Sequence, residues 1–90
     1  MPGPIEIVLS DSAGGWLAQV TIRDRSTTTH RVKISRAEHE RYGDGDVADL
    51  VRRSFDFLLE REPNTSILRE FDLSAIERYF PEYPEAIARR

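Results

Sequence analysis

The sequence predicts an α+β domain, a three-stranded antiparallel β-meander packed on one main helix at about 47–61, with short additional helices. Three observations predict it. Apolar residues recur with a period of two from Ile5 to Ile34, the period changes at Ser35, and a broad apolar stripe at helical spacing runs from Val47 to Leu59. Ninety residues fit one domain over 1–90, with a modest core and little room for an enclosed catalytic cavity beside it.

The first strand alternates Ile5, Ile7 and Leu9 with Glu6, Val8 and Ser10. Asp11-Ser12-Ala13-Gly14-Gly15 reads as a turn, because Gly reaches positive φ cheaply and Asp and Ser close turns through their side chains. In the second strand Trp16, Ala18, Val20 and Ile22 alternate with Leu17, Gln19, Thr21 and Arg23. A polar connection spans 24–29. The third strand alternates His30, Val32 and Ile34 with Arg31, Lys33 and Ser35. Three strands on short connections make a meander with one apolar and one mostly polar face.

Ser35-Arg36-Ala37-Glu38 matches a capping box and predicts a short helix to about Tyr42, ended at Gly43. Asp46 is placed to cap the main helix. There Leu50, Val51, Phe55, Phe57, Leu58 and Leu59 share one wide arc, opposite Asp49, Arg52, Arg53, Asp56 and Glu60. An arc that wide calls for two neighbours. Pro63 blocks continuation, and a short segment, 67–71, follows Asn64-Thr65-Ser66. Ser74-Ala75-Ile76-Glu77 is a second capping box opening a helix that Pro81 stops, and Pro84 suits the first turn of a last helix. The closing Arg89-Arg90 fits a helix C-terminus or a tail.

Two runs in the second half carry a resemblance. Arg53-Ser54-Phe55-Asp56-Phe57-Leu58-Leu59-Glu60-Arg61-Glu62-Pro63 is the first. Ser66-Ile67-Leu68 and Phe71-Asp72-Leu73-Ser74-Ala75-Ile76-Glu77-Arg78-Tyr79-Phe80-Pro81-Glu82-Tyr83 make up the second. Together they resemble a set of small uncharacterised bacterial proteins, a domain of unknown function, mainly over residues 53–83. The resemblance implies a stand-alone bacterial domain and transfers no functional residues. Arginine usage agrees: 12 of 13 basic residues are Arg and only Lys33 is Lys, a mark of a GC-rich bacterial genome.

Composition excludes several classes. With no Cys there is no disulfide scaffold, thiolate zinc site or thiol nucleophile. No run approaches the ~20 apolar residues that span a bilayer. Met1-Pro2-Gly3-Pro4 lacks the basic and apolar regions of a signal peptide, so the expected location is cytoplasmic, away from membranes. His30 and His39 sit on different elements, and neither has a metal-ligating residue two or four positions on. Asp44-Gly45-Asp46 with Asp49 lacks the glycine and glutamate positions of a calcium loop. Gly14-Gly15 precedes a strand, not the helix a phosphate loop requires. No catalytic residue, cofactor site or metal site is predicted, and the protein is expected not to be an enzyme.

Two surfaces remain. Phe71, Tyr79, Phe80 and Tyr83, with Leu68, Leu73 and Ile76, exceed what short segments can bury. They predict a protein interface, with a second copy in a homodimer or with another protein. The alternative is nucleic acid on the outer sheet face through Arg23, Arg31 and Lys33. Residues 1–36 hold five basic and three acidic side chains, net +2, against eight and thirteen, net −5, in 37–90. That face carries no aromatic platform for stacked bases. The favoured expectation is a non-catalytic protein-interaction or regulatory module.

Overall fold

Ala13 and Gly14 alone turn the first hairpin, with Gly14 at φ 77°, a region closed to most side chains. In the computed structural model, which describes residues 5–43 and 45–88, this loop joins strand β1 (Ile5–Ser12) to β2 (Gly15–Arg23). Met1 to Pro4, Asp44, and Arg89 and Arg90, with the expectations that fell on them, lie outside the described residues. Gly15 is required for a second reason: a Cβ there would lie 2.0 Å from the Ile34 carbonyl oxygen. β3 (Thr27–Ser35) pairs with β2 from Arg23↔Thr27 to Gly15↔Ser35, so the polar connection shrinks to 24–26. Thr28 joins the inward set with His30, Val32 and Ile34.

The meander is not the whole sheet. β4 (Glu70–Asp72) adds to β3 in parallel, with Arg31↔Glu70, Val32↔Phe71 and Lys33↔Asp72 in register, giving a four-stranded mixed sheet in the order β1-β2-β3-β4. The expected three-stranded antiparallel sheet is corrected on this point. A parallel neighbour needs a long crossover, here residues 36–69, and three residues are too few to display a period of two. Arg31 N–H donates to the Arg69 carbonyl at 2.7 Å and Leu73 N–H to the Lys33 carbonyl at 2.9 Å, fastening both ends.

The crossover holds α1 (Arg36–Tyr42) and α2 (Val47–Leu59), then a 3-10 turn, Asn64–Ser66. The capping box of α1 forms as expected: Ser35 Oγ accepts from Glu38 N–H at 3.0 Å and Glu38 Oε1 from Ser35 N–H at 2.8 Å. Asp46 stands at the N-cap of α2 without a side-chain cap bond. α2 ends two residues before 61, where Arg61 and Glu62 N–H both turn back to the Leu58 carbonyl. Its wide stripe meets two neighbours. Val51 and Phe55 lie in the core with Val20, Ile22 and Val32, and Phe57 meets the C-terminal helices, its ring 5.3 Å from that of Tyr83.

α3 (Ala75–Tyr79) and α4 (Tyr83–Ala88) close the fold either side of Pro81. The second capping box does not form. The Glu77 carboxylate accepts instead from the Tyr42 hydroxyl at 2.7 Å and Arg41 at 2.8 Å, while Ser74 N–H donates to Glu38 Oε2 at 2.8 Å. Glu38 therefore caps α1 with one oxygen and anchors the start of α3 with the other. Each fully buried large apolar side chain contributes about 1.5–3 kcal/mol, and the core gathers them from every layer: Val20 and Ile34, Leu50 and Phe55, Leu73 and Ile87. Among the described residues no helix is long and apolar enough to cross a membrane.

Candidate functional site

Where α2 ends at Leu59, the chain must return to the sheet, and its path leaves an apolar groove of about 260 Å³. Leu58, on the apolar arc of α2, forms the floor together with Ile67 and Ile76, all buried. Phe71 forms one wall. It alternates with Glu70 and Asp72 on β4, so those two face solvent on the outer side and Phe71 faces inward, half-buried, its ring 6.1 Å from that of Phe55. Phe80 forms the other wall, its N–H donating to the Ile76 carbonyl at 2.8 Å and its ring edge-on to Phe57 at 5.8 Å. At the rim stand Leu68, 48% exposed, and Tyr79, 67% exposed. Glu62 and Ser66 supply the polar edge.

Ile67, which ends the 3-10 turn at φ −75° and ψ 136°, is buried, and the next residue, Leu68, is exposed. Ile76 and Tyr79 are three apart and share a side of α3, but Tyr79 is the last residue of the helix and stands exposed while Ile76 is buried. The lining holds no nucleophile with an adjacent base, and its one carboxylate sits at the rim.

Of the four aromatics expected at an interface, the structure brings Phe71, Tyr79 and Phe80 together and withholds Tyr83. Tyr83 is fully buried between α2 and α1, with its ring 4.9 Å from that of Tyr42. Its hydroxyl meets Ser54 Oγ at 2.6 Å, and because Ser54 donates to the Leu50 carbonyl at 2.7 Å, Tyr83 is the donor. Burial pushes the Tyr83 hydroxyl up to about 12. Tyr83 is core because Ser54, inside the apolar arc of α2, gives its hydroxyl a partner there. Glu62, Ala75 and the buried Ile67 are groove residues that sequence reading missed; the only signal for them is their closeness to Pro63 and Ser74, where the chain changes direction.

The outer sheet face looks different from its sequence. Arg23, Arg31 and Lys33 are all exposed on it. However, Arg23 pairs with Glu6 across the first hairpin, and β4 places Glu70 beside Arg31 and Asp72 beside Lys33. Three cations thus face three carboxylates, and the face is charge-balanced rather than basic. A phosphate backbone is held by net positive charge, and two of the three acidic side chains that cancel it, Glu70 and Asp72, come from the strand the sequence did not reveal.

Both histidines have structural partners. His30 is buried beside Phe55; its Nδ1 lies 2.7 Å from the Leu68 carbonyl and its Nε2 2.9 Å from Thr28 Oγ1. A carbonyl only accepts, so Nδ1 carries the proton, Nε2 accepts from Thr28, and Asn64 Nδ2 donates to Thr28 Oγ1 and the Ser26 carbonyl. Burial lowers the His30 pKa below its usual 6.5. His39 donates from Nε2 to the Gly45 carbonyl at 2.6 Å and packs edge-on to Trp16 at 5.0 Å. Among the described residues no group of three or more His, Cys, Asp or Glu is placed to hold a metal ion.

Comparison with family models, curated proteins and solved structures finds no match to this chain.

Proposed function

We propose that the protein is a non-catalytic interaction module of a bacterial cell, and that its groove receives a large apolar side chain from a partner protein. The observation that carries this reading is the groove itself. It is walled by Phe71 and Phe80, floored by Leu58 and Ile76, and edged by Leu68 and Tyr79 left in water. Aromatic anchors in desolvated pockets supply most of the energy of protein interfaces. A cavity of 150 Å³ already holds a benzene-sized group, so about 260 Å³ has room for a phenylalanine or leucine anchor. Glu62 at the rim and the net charge of −5 over 37–90 favour basic residues beside that anchor.

The test is titration of the labelled protein with a short peptide carrying Phe between arginines, read by amide chemical shifts. Shifts are expected at Leu68, Phe71, Ile76 and Phe80. They should vanish in Leu68→Glu and weaken in Tyr79→Ala, while both variants melt within about a degree or two of the parent, as surface changes do. Shifts confined to the first hairpin, or none at millimolar peptide, would reject the groove as the binding site.

A further inference from the structure

The two edges of the sheet are treated unequally. β4 is only three residues long, one of the devices by which proteins blunt an edge, and both edges carry two carboxylates, Glu70 and Asp72 on β4 and Glu6 and Asp11 on β1. β1 is eight residues long and runs in eight unbroken register pairs with β2, so it has no bulge; its sequence, IEIVLSDS, has no Pro and no Lys. No described residue pairs with its outer side. Its inward residues Ile5, Ile7 and Leu9 are apolar, and Val8 on the outer face is 64% exposed.

The hairpin fixes which backbone groups that edge offers. In a two-residue hairpin the closing pair, here Ser12↔Gly15, exchanges hydrogen bonds, and such pairs alternate along an antiparallel ladder. Glu6, Val8, Ser10 and Ser12 therefore turn their N–H and C=O groups toward β2. Ile5, Ile7, Leu9 and Asp11 turn theirs outward, a row of free donors and acceptors on every second residue.

We propose that β1 pairs antiparallel with β1 of a second copy about a two-fold axis at Val8, making one continuous eight-stranded sheet. Symmetry and chemistry select that register. It sets Ile7 against Leu9 of the second copy, bonded through their outward groups, so the apolar layer under the sheet runs on across the junction. It sets Val8 against Val8 at the unbonded position, where facing side chains are closest. Glu6, already paired with Arg23, faces Ser10, and no like charges meet. A two-fold at Ile7 would keep the inner layer apolar, Ile7 on Ile7 and Ile5 on Leu9, but set Glu6 against Val8 on the outer face. One at Leu9 would set Ile7 against Asp11 and Val8 against Ser10. The axis at Val8, which leaves Ile5 facing Asp11 only at the ends, alone matches apolar side chains on both faces at the centre of the junction. A second copy is the occupant because this edge is its own complement in both hydrogen bonding and side chains. The junction lies across the sheet from β4 and stands without the groove reading.

The absence of any cysteine makes the test clean. In Val8→Cys the two thiols would face each other at an unbonded pair about 4.5 Å apart at Cα, within reach of a disulfide. Mild oxidation should convert most of it to covalent dimer. Glu6→Cys and Ser10→Cys should each form no covalent dimer alone and cross-link when mixed. By sedimentation equilibrium the parent should associate with concentration, and Val8→Lys, which opposes two ammonium groups on the axis, should weaken this by more than about tenfold with an unchanged circular dichroism spectrum. Tyr79→Ala should leave the association intact. Cross-linking of Val8→Cys no faster than of Ser10→Cys, a strictly monomeric parent at several hundred micromolar, or a dimer dissolved by Tyr79→Ala would each overturn the proposal. The last would also show the groove to be the self-interface, whereas loss of peptide binding alone would leave the edge pairing standing.

Discussion

Residues 5–35 and residues 64–88 hold together by different means. In the first, each strand pairs with its neighbour in sequence over eight or nine consecutive positions, and the backbone itself supplies the bonds. In the second, a 3-10 turn, a three-residue strand and two helices of five and six residues are too short to be stable alone. They are pinned one by one from the first half and from α2. Asn64 donates to the Ser26 carbonyl, His30 to the Leu68 carbonyl, Tyr83 to Ser54, and Arg53 to the Ile87 carbonyl at 2.9 Å. Arg61 lies 3.6 Å over the Phe57 ring while bonding Glu82 at 3.2 Å. The difference teaches where the interaction surfaces arise. Local pairing leaves a regular edge, whereas long-range pinning of short pieces leaves a groove between them.

The largest expected effect comes from removing what the two regions share. Phe55 touches His30 of the meander and Phe71 of the C-terminal part, and it is fully buried. Phe55→Ala should cost about 3–5 kcal/mol, a large part of an ordinary domain's total of about 5–15 kcal/mol. Urea denaturation would measure it. A loss below about 1 kcal/mol would mean the regions do not share one core.

Asn64→Ala divides the regions more finely. It removes the donor to the buried Thr28 hydroxyl oxygen and one of the two donors to the Ser26 carbonyl, which keeps Asp24 N–H, a change of about 1–3 kcal/mol. Hydrogen exchange should show protection falling across 64–72 while the β1–β3 amides hold theirs. Equal loss in both regions would erase the distinction between backbone-paired and side-chain-pinned halves.

The smallest effect is set by pH. His30 is neutral in the fold, held below its usual 6.5 by burial, with Arg69 opposing its charge further. As pH falls below about 6.5 the unfolded chain takes up the proton first, so this contribution is whole above that pH and is lost as pH falls toward the folded-state value. The groove rim at Leu68, which accepts from His30, should loosen earliest. Melting temperature should fall between pH 7.5 and 5.5 in the parent and stay flatter in His30→Gln. Identical slopes would remove His30 from the tie between the halves.

Much of the site was visible as composition without geometry. Phe71, Tyr79 and Phe80 stood out as more aromatic surface than short segments can cover, and three of the four expected aromatics do line one groove. Tyr83 was indistinguishable from them because its partner Ser54 lies 29 residues earlier, a polar residue inside an apolar stripe. Arg31 and Lys33 looked basic because their acidic neighbours, Glu70 and Asp72, are far along the chain.

What the sequence determined by itself is whatever repeats locally. The alternation of the three strands, a turn within 11–15 that the structure narrows to Ala13 and Gly14, the Ser35–Glu38 capping box and the helical stripe of 47–59 are each set by neighbours in sequence. Their side-chain period and hydrogen bonds are satisfied among those neighbours. The tertiary structure decided the rest: the parallel fourth strand, the diversion of Glu77 from its cap to Tyr42 and Arg41, the burial of Tyr83, and the charge balance of the outer face. In each of these a short, weakly patterned segment takes its conformation from a partner some 30 to 40 residues away, and no local period records such a contact.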